Sequence, residues 1–400
     1  MFTTHNQASG NPAPGIQSFT CIAMKVIINS LSMLNRSGAH VVLGHMTNLA
    51  KWTLGKHEYF VLYNEINKKM VRNLGDNVRW VECPSSTISW VTRPVWEMHG
   101  LKRLAASLDI DFILAFSGIV ALNQIIPQVV FAQNPLGLVT GVPRKPMDRF
   151  KMVIQRYAVK QTTRRASMII YNSKYMQQAY LENAGFPARA EMVVYQAIAD
   201  RMREAADLAW SSGAKRKKLQ ILSVSAMVPH KNIEAAVQAL HLLRTRHGLP
   251  ASFVLVGAWS DPHYEQSIRA LVSRLKLEGA VEFMGDVTDE VLENKYAESR
   301  VFCLMSRCES FGIPAVESQA FGTPVVSSNC CAIPEVCGEG GIFPSPDNID
   351  GITLALQRLL SDDEVWSRYS STAHKNSQRF RWESVSLPLL QIFRQEFKKA

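Results

Sequence analysis

Residues 300–327 read RVFCLMSRCESFGIPAVESQAFGTPVVS, and this stretch decides how the chain folds. An apolar run over residues 300–305 predicts a buried strand, and a glycine-containing loop then leads to Pro314, which suits the first turn of a helix. Gly322 and Pro324 end that helix, and a second apolar strand begins. A strand, a helix and a strand in this order predict two parallel strands joined by a crossover helix.

The same alternation runs through both halves of the chain. In the N-terminal half we predict a helix over residues 41–52, a helix capped by Ser173, and strands over residues 25–30, 60–63, 111–116, 128–132 and 168–171. In the C-terminal half we predict a helix with its apolar face at residues 233–243, and strands over residues 219–226, 252–257, 281–283, 300–305 and 324–327. We therefore expect an α/β protein of two doubly wound, Rossmann-like domains with parallel sheets that face a cleft between them.

Length and composition agree with two domains. The chain has 400 residues, of which 47% are hydrophobic and 20% charged, the balance of a globular protein. We expect a disordered extension over residues 1–24, an N-terminal domain over 25–198 and a polar, charged linker over 199–218. A C-terminal domain would follow over residues 219–375, and a final helix over 376–400 would pack back on the N-terminal domain.

Residues 112–143 carry no charge, which raises the question of a membrane span. Asn, Gln and Pro residues interrupt the stretch, so a buried strand, a short helix and a second strand fit better than a spanning helix. The first 24 residues lack the apolar run of a secretion signal. The seven cysteines include no C-x-x-C pair, which disfavours a disulfide framework and a thiolate zinc site. These features favour a reducing cytosol.

The net charge is +10, and much of it lies in two clusters, residues 141–165 and residues 215–218. Such clusters attract nucleic acid, anionic lipid headgroups or phosphorylated substrates, and they also occur as ordinary solvated helix faces. No recognised nucleic-acid motif and no interleaving of basic and aromatic residues accompanies them. We therefore expect no nucleic-acid partner.

Two carboxylates in the opening stretch, Glu309 and Glu317, lie eight residues apart. A glycine loop that enters a helix presents backbone N–H groups, which suit a phosphate. Because a phosphate would repel both acids, we expect them to bind hydroxyl groups through charge-assisted hydrogen bonds. On spacing alone, acids that merely favour a helix N-terminus explain the pattern equally well.

The full pattern, E-S-F-G-x-P-x-x-E-x-x-A-x-G-x-P-V-V followed by I-P-E-V at residues 333–336, resembles the donor segment of a known family. The family is the retaining GT-B glycosyltransferases of the family-four (group 1) type, which include bacterial polysaccharide and O-antigen enzymes. The resemblance covers most of residues 25–395 and is dense over 219–345. It implies an acceptor-binding N-terminal domain, a C-terminal domain that binds a nucleotide-diphosphate sugar, and a saccharide or lipid-linked saccharide acceptor. It implies no metal and no other cofactor.

The resemblance also gives roles to individual residues. Glu317 would hold the ribose of the nucleotide, Glu309 would contact hydroxyls of the donor sugar, and Lys231 would neutralise the leaving diphosphate. Further donor-binding positions would be Ser225, His230, Ser310, Phe311 and Gly312. The chain departs from the family at Ala226, where an arginine is usual. His230 could replace that cation only in part, because a histidine is partly charged near neutral pH.

In the N-terminal half, Ser37 and Gly38 resemble the glycine loop between the first strand and the first helix, although a simple tight turn explains them equally well. Gln133 or Asn134 occupies the region where the family often has a histidine near the donor sugar. An amide can bind a sugar hydroxyl, but it cannot carry a catalytic proton. These four residues are our candidates for the acceptor side of the cleft.

Some sequence features suggest a different kind of site or a different function. Asp109-Ile-Asp111 spells the metal-binding D-x-D of another glycosyltransferase fold, but it precedes an apolar strand, so we interpret it as a loop. The histidines show no metal-ligand spacing. Two alternatives stay open: a non-catalytic sugar-nucleotide-binding or scaffold protein, favoured by the departure at Ala226, and a GT-B sugar-nucleotide epimerase, whose family lacks the paired glutamates. We expect a cytoplasmic protein whose basic residues 144–165 approach the inner face of the cytoplasmic membrane.

Overall fold

The structure, a computed structural model, describes residues 23–33, 36–139, 146–213 and 215–394, with the backbone alone at residues 36, 37, 146 and 147. Most of the expected N-terminal extension, the basic residues Arg144 and Lys145, and the last residues of the expected C-terminal helix lie outside these ranges.

The N-terminal half forms one parallel sheet with helices on its faces. Its strands, in the spatial order β3-β2-β1-β4-β5-β6-β7, are β1 (Met24–Asn29), β2 (His57–Tyr63), β3 (Val78–Glu82), β4 (Phe112–Ala115), β5 (Gln128–Ala132), β6 (Met168–Tyr171) and β7 (Glu191–Val193). The helices are α1 (Arg36–Trp52), α2 (Arg93–Ser107), α3 (Pro146–Arg165) and α4 (Lys174–Ala184), with 3₁₀ turns at Lys68–Met70 and Ser85–Thr87.

The C-terminal half repeats the architecture. Its strands, in the spatial order β10-β9-β8-β11-β12-β13, are β8 (Lys217–Val224), β9 (Ser252–Val256), β10 (Val281–Gly285), β11 (Ser299–Leu304), β12 (Val325–Ser327) and β13 (Gly341–Ile342). The helices are α5 (Asp200–Ser211), α6 (Ile233–Thr245), α7 (Pro262–Arg274), α8 (Asp289–Glu298), α9 (Ile313–Ala320), α10 (Ile333–Cys337), α11 (Ile349–Ser361), α12 (Asp363–Ser377) and α13 (Trp382–Ser386), with 3₁₀ helices at Pro229–Lys231, Gly338–Gly340 and Leu387–Arg394.

Apolar side chains on both faces of each central strand explain this layering. In β1, Ile28 contributes to one hydrophobic cluster and Ile27 to the cluster on the opposite face of the sheet. In β8, Ile221 and Leu222 divide in the same way. Because side chains alternate along a strand, both faces of such a sheet need helices to cover them. The predicted pair of doubly wound domains is confirmed.

Three local expectations are wrong or incomplete. Between β4 and β5 the chain forms turns and no helix, since the Gln128 side chain bonds to both the N–H and the C=O of Ala121 at 2.8 Å and closes the loop. Ser37 and Gly38 lie in the first turn of α1, not in a loop before it. Strands β3, β7 and β13 were not predicted; they are short or half-exposed and lack a continuous apolar run.

The expected linker, residues 199–218, contains helix α5, which belongs to the core of the C-terminal half. Met202 and Ala206 are buried there, and the buried guanidinium of Arg203 donates to the carbonyl oxygen of Ser377 at 2.9 Å. These contacts fix the start of the second domain onto its last long helix, so residues 200–211 do not form a free connection.

The segment after α12 returns to the N-terminal half. Trp382 packs edge-on against His45 of α1, and the Phe393 ring stacks on His57 with centroids 4.3 Å apart. Leu389 and Ile392 are buried in the same cluster as β1 and β4. Residues 382–393 thereby tie the two halves together. No helix in the described part of the chain is long and apolar enough to cross a membrane.

Candidate functional site

The donor loop, which we define as residues 305–312, connects β11 to α9 at the carboxyl edge of the second sheet. The Arg307 amide donates to the carbonyl oxygen of His230 at 2.8 Å, and the Ser306 hydroxyl donates to the same oxygen at 3.3 Å. On its other side, the Ala332 amide donates to the carbonyl oxygen of Glu309 at 3.2 Å. The loop is therefore held between the 3₁₀ turn that follows β8 and the helix that follows β12.

Lys231 and Glu309 form an ion pair at this junction, the Lys231 ammonium donating to Oε1 of Glu309. Each side chain is only 14% exposed, so water screens the pair less than it screens an ion pair on the surface. The central strands β8 and β11 are neighbours in the sheet, which brings residues 78 positions apart into contact. The site thus combines one cation with one carboxylate, the residue types expected beside a leaving diphosphate and a sugar.

Gly312 joins the donor loop to α9 through a left-handed backbone, with φ of 88°. A Cβ atom at this position would lie 3.0 Å from Cγ1 of Ile333. Both facts require glycine here. The helix then begins with Ile313 and Pro314, as predicted, and its N-terminus is directed at the loop.

Glu317 lies in α9 about one turn after its start. The Tyr296 hydroxyl donates to Oε2 of Glu317 at 2.8 Å. Burial, and then the neighbouring Glu317 carboxylate, raise the pKa of Tyr296 well above its ordinary value, so the phenol stays protonated and donates. Tyr296 is fully buried and therefore fixes the orientation of this carboxylate.

The remaining predicted donor residues differ in their exposure and in the contacts that they make. Phe311 is buried, and its ring contacts Phe380 edge-on, so its side chain belongs to the core. Ser225 is buried at the end of β8, whereas Ala226, where the family arginine is missing, is exposed. His230 is half-buried beside Lys231, and its carbonyl oxygen holds the donor loop.

Glu335 of α10 makes the most extensive polar contact between the two domains described here. Its carboxylate accepts from the amides of Lys174 and Tyr175, at 2.8 and 3.0 Å, and from the hydroxyl of Tyr195 at 3.0 Å. The two amides belong to the first turn of α4, so a glutamate of the C-terminal domain caps a helix of the N-terminal domain. We call these contacts the Glu335 clamp.

A second contact between the domains reaches the donor loop itself. The Ser173 hydroxyl donates to the carbonyl oxygen of Ser310 at 2.8 Å, and the Asn172 amide donates to the Ser310 hydroxyl at 3.1 Å. Ser173 also caps α4, as predicted, by accepting from the amide of Met176. The polar end of β6 thus lies against the donor loop. Asn172, Tyr195 and Glu335 were not among the predicted site residues, although two polar residues directly after a buried strand are a usable signal for Asn172.

On the N-terminal side, Oε1 of Gln133 accepts from the amide of Gln196 at 3.2 Å, and its own buried amide nitrogen has no hydrogen-bond partner among the described residues. Asn134 is exposed and accepts from the Leu136 amide at 3.0 Å, an arrangement that forms a turn. Gly38 is half-buried at the start of α1, and the side chain of Ser37 lies outside the described part. Among the described side chains, these hydrogen bonds of Gln133 and Asn134 therefore lie within the N-terminal half and do not reach Lys231 or Glu309.

A cavity of about 580 Å³ lies beside the first turns of α1. Its lining includes His40, Asp200, Trp382 and two cations, Lys69 and Arg72, but neither residue of the Lys231–Glu309 pair. It opens where the loops after β1 and β2 meet the start of α5, which is the edge where ligands bind in such sheets.

The D-x-D sequence has a structural role. Oδ2 of Asp111 accepts from the Lys25 amide at 2.8 Å, while the Asp111 amide donates to the Lys25 carbonyl oxygen, so Asp111 joins β4 to the start of β1. Asp109 sits in a turn with φ of 54°. Within the residues that the structure describes, no group of three or more His, Cys, Asp or Glu side chains is arranged to hold a metal ion.

Part of the chain is similar in sequence to known proteins. Residues 205–376 match the family model of glycosyl transferases group 1. The O-antigen chain mannosyltransferase B of Escherichia coli is 31% identical over 189 residues, which are 47% of each chain. The MMP alpha-(1->4)-mannosyltransferase of Mycolicibacterium hassiacum is 28% identical over 183 residues, 44% of this chain and 43% of that one. The chain thus spans about half the length of these relatives.

Solved structures extend the likeness to both halves. HepE of Anabaena, in complex with UDP and glucose, superposes with a TM-score of 0.71 at 18% identity, over 93% of this chain and 99% of that one. WaaG, a glycosyltransferase involved in lipopolysaccharide biosynthesis, superposes with a TM-score of 0.66 at 13% identity, over 93% and 100% of the two chains. At these identities the likeness concerns the fold alone.

Proposed function

We propose that this chain, which has the GT-B fold and matches the group 1 glycosyl transferase model over residues 205–376, transfers a hexose or deoxyhexose from a nucleotide-diphosphate sugar. The acceptor is a saccharide or a lipid-linked saccharide, and the configuration at the anomeric carbon is retained. The reaction belongs to surface polysaccharide or lipopolysaccharide biosynthesis. The observation that carries the proposal is the largely buried ion pair between Lys231 and Glu309 of the donor loop.

In this proposal Lys231 neutralises the charge that develops on the departing diphosphate, together with the N-terminus of α9. Glu309 binds hydroxyls of the donor sugar. These two roles require the ion pair to open when donor binds, since a diphosphate competes with Glu309 for Lys231. Glu317, oriented by Tyr296, holds the ribose of the nucleotide.

The reaction itself rests on positioning and electrostatics. The carbon–oxygen bond between sugar and diphosphate breaks, and the diphosphate leaves toward Lys231. The oxygen of the acceptor hydroxyl bonds to the anomeric carbon from the same face, and its proton passes to the departing diphosphate. The Glu335 clamp and the contacts to Ser310 hold the domains together over the donor loop, which excludes water and suppresses hydrolysis of the donor. No metal or other cofactor is part of this scheme.

Two observations favour particular candidates for the donor sugar and the acceptor. Two relatives are named mannosyltransferases, so nucleotide-mannose is the first donor to test. The cavity beside α1 suits the acceptor, because Lys69 and Arg72 would attract the phosphate of a lipid-linked saccharide. Such an acceptor lies in a membrane, and we propose that the protein is cytoplasmic and approaches the anionic inner face of the cytoplasmic membrane peripherally through its basic residues 144–165.

One observation favours a second candidate function. Ala226 is exposed where the family has an arginine, so the diphosphate site is poorer in cations. A non-catalytic protein that binds or presents sugar nucleotides would tolerate this loss, whereas a transferase would transfer more slowly.

The two candidates separate in one experiment. The purified protein is incubated with UDP-, GDP- and dTDP-sugars and a lipid-linked saccharide, and nucleoside diphosphate and product are measured by mass spectrometry. We expect acceptor-dependent release of one nucleoside diphosphate and a product heavier by one sugar. Binding of a sugar nucleotide without turnover across the panel would instead support the non-catalytic candidate.

A further inference from the structure

Helix α3 carries an exposed row of large apolar side chains, Phe150, Val153, Ile154 and Tyr157, which we call the α3 ridge. Their exposed fractions are 61%, 62%, 42% and 65%. Residues at positions i, i+3, i+4 and i+7 lie on one face of a helix, so the four side chains form a continuous strip. An apolar strip of this kind usually packs against another surface, yet among the described residues of this protein it is exposed to solvent.

The other half of α3 shows that this exposure is local. Val159, Thr162 and Thr163 are buried against the N-terminal domain, so the C-terminal turns of the helix are anchored. The N-terminal turns carry the ridge, and they contact the loop after β5 through Arg156, whose guanidinium donates to the carbonyl oxygens of Gly137 and Leu138. Trp90, 52% exposed, lies beside them, since the Lys151 ammonium is 5.7 Å from the centre of the Trp90 ring.

Charge indicates what covers the ridge. Arg149, Lys151 and Lys160 border it, and the only acid in α3 is Asp148. A second copy of this chain would bring like charges together, which disfavours self-association through the ridge. Apolar side chains bordered by cations, with an aromatic residue beside them, match an amphipathic helix lying in an anionic bilayer surface.

The ridge also lies at the edge of the sheet where contact with a membrane would serve the candidate cleft. The helices that cover a doubly wound sheet run antiparallel to its strands, so the start of α3, after β5, lies at the carboxyl edge of the sheet. The candidate cleft is at the same edge. Binding through the ridge would therefore bring the cleft to the membrane surface, where a lipid-linked acceptor is found.

We infer that the α3 ridge inserts between the headgroups of an anionic membrane and that the bordering cations hold it there. This rests on the proposed function for the nature of the acceptor, but the insertion can be tested without activity. The test is flotation of the full chain with phosphatidylcholine vesicles that contain either 30% or no phosphatidylglycerol, at about 0.15 M salt.

The expected result is binding to the anionic vesicles only. Phe150→Ser with Tyr157→Ser should weaken this binding roughly tenfold, because apolar burial contributes much of interfacial affinity. Arg149→Gln with Lys160→Gln should weaken it as well, whereas Leu354→Ser, a 55% exposed leucine on α11, should leave it unchanged. Transfer to a detergent-free, water-soluble acceptor should stay at the wild-type rate in all variants, which separates membrane docking from catalysis.

Three results would overturn the inference. Wild type that fails to float with either vesicle removes the membrane as partner. If the Phe150/Tyr157 variant binds the anionic vesicles as well as wild type does, charge attraction alone explains the binding and the ridge does not insert. Concentration-dependent dimerisation that the same variant abolishes would make the ridge a contact between copies of this chain.

Discussion

Replacing Glu335 with Gln tests whether contact between the domains governs transfer. The Glu335 carboxylate accepts two backbone N–H groups of α4 and one phenol across the cleft. Glutamine keeps the size of the side chain, but it removes the charge and turns one acceptor into a donor that faces an N–H group. The change therefore acts on the clamp and little else.

The magnitude follows from these bonds. A hydrogen bond to a charged group contributes about 1.5–3 kcal/mol, and a charge at a helix N-terminus adds about 0.3–1 kcal/mol. Glu335 is half-buried, and the Asn172 and Ser173 contacts remain, so we expect a loss of about 1–2 kcal/mol in the closed arrangement. That corresponds to roughly a 5- to 30-fold shift toward open domains.

The assay compares kcat/KM for transfer, donor hydrolysis without acceptor, and nucleoside diphosphate affinity. We expect kcat/KM for transfer to fall by up to that factor, the ratio of hydrolysis to transfer to rise, and nucleotide affinity to change little. Glu339→Gln, an exposed glutamate four residues further on, is the matched control for charge. Wild-type kcat/KM and an unchanged solution scattering profile for Glu335→Gln would refute the reasoning.

Three further predictions concern single residues. Glu309→Ala should abolish transfer while nucleotide binding, measured by calorimetry, is largely kept, whereas Glu317→Ala should weaken nucleotide binding; wild-type transfer rates in both variants would contradict the site. Burial, and then the nearby His40, lower the pKa of His45 to about 3, so unfolding binds a proton, and stability declines as pH falls from 6.5 toward 3. In His45→Gln the unfolding free energy should therefore fall less steeply as pH falls. In urea titrations at pH 4.5–6.5 the slope against pH should be smaller by up to about 1.4 kcal/mol per pH unit, and an unchanged slope would contradict this. Gly257→Ala should lower the unfolding free energy by about 3 kcal/mol or more, since φ is +134° and a Cβ would lie 1.9 Å from the Ser225 carbonyl oxygen; the open position Gly279→Ala is its control.

Much of the fold could be predicted because apolar runs and punctuating residues act locally. The strand that ends at Leu304, the glycine-containing loop after it and Pro314 in the first turn of α9 all follow from near neighbours in sequence. Helix α5 was missed since its charged residues suggested a linker. Its buried positions, Met202 and Ala206, do lie at helical spacing.

The contacts of the candidate site were less accessible to sequence reasoning. Lys231 and Glu309 were expected in one site, but their ion pair depends on the adjacency of β8 and β11. Glu335 was visible in the I-P-E-V pattern, yet its partners in α4 are 160 or more positions away. Charge and spacing predict which residue types gather at an edge of a sheet, and only the packing of two domains decides which of them meet.

The central claim is that the site around Lys231 and Glu309 transfers a sugar. Its most direct test uses a donor labelled with ¹³C in the sugar, taken from the sugar-nucleotide panel, with a lipid-linked saccharide acceptor and NMR of the isolated product. We predict label in the acceptor with the anomeric configuration of the donor, and no label in the acceptor with Glu309→Ala. Label that stays in the sugar nucleotide for every donor, or a product formed equally well by Glu309→Ala, would contradict it.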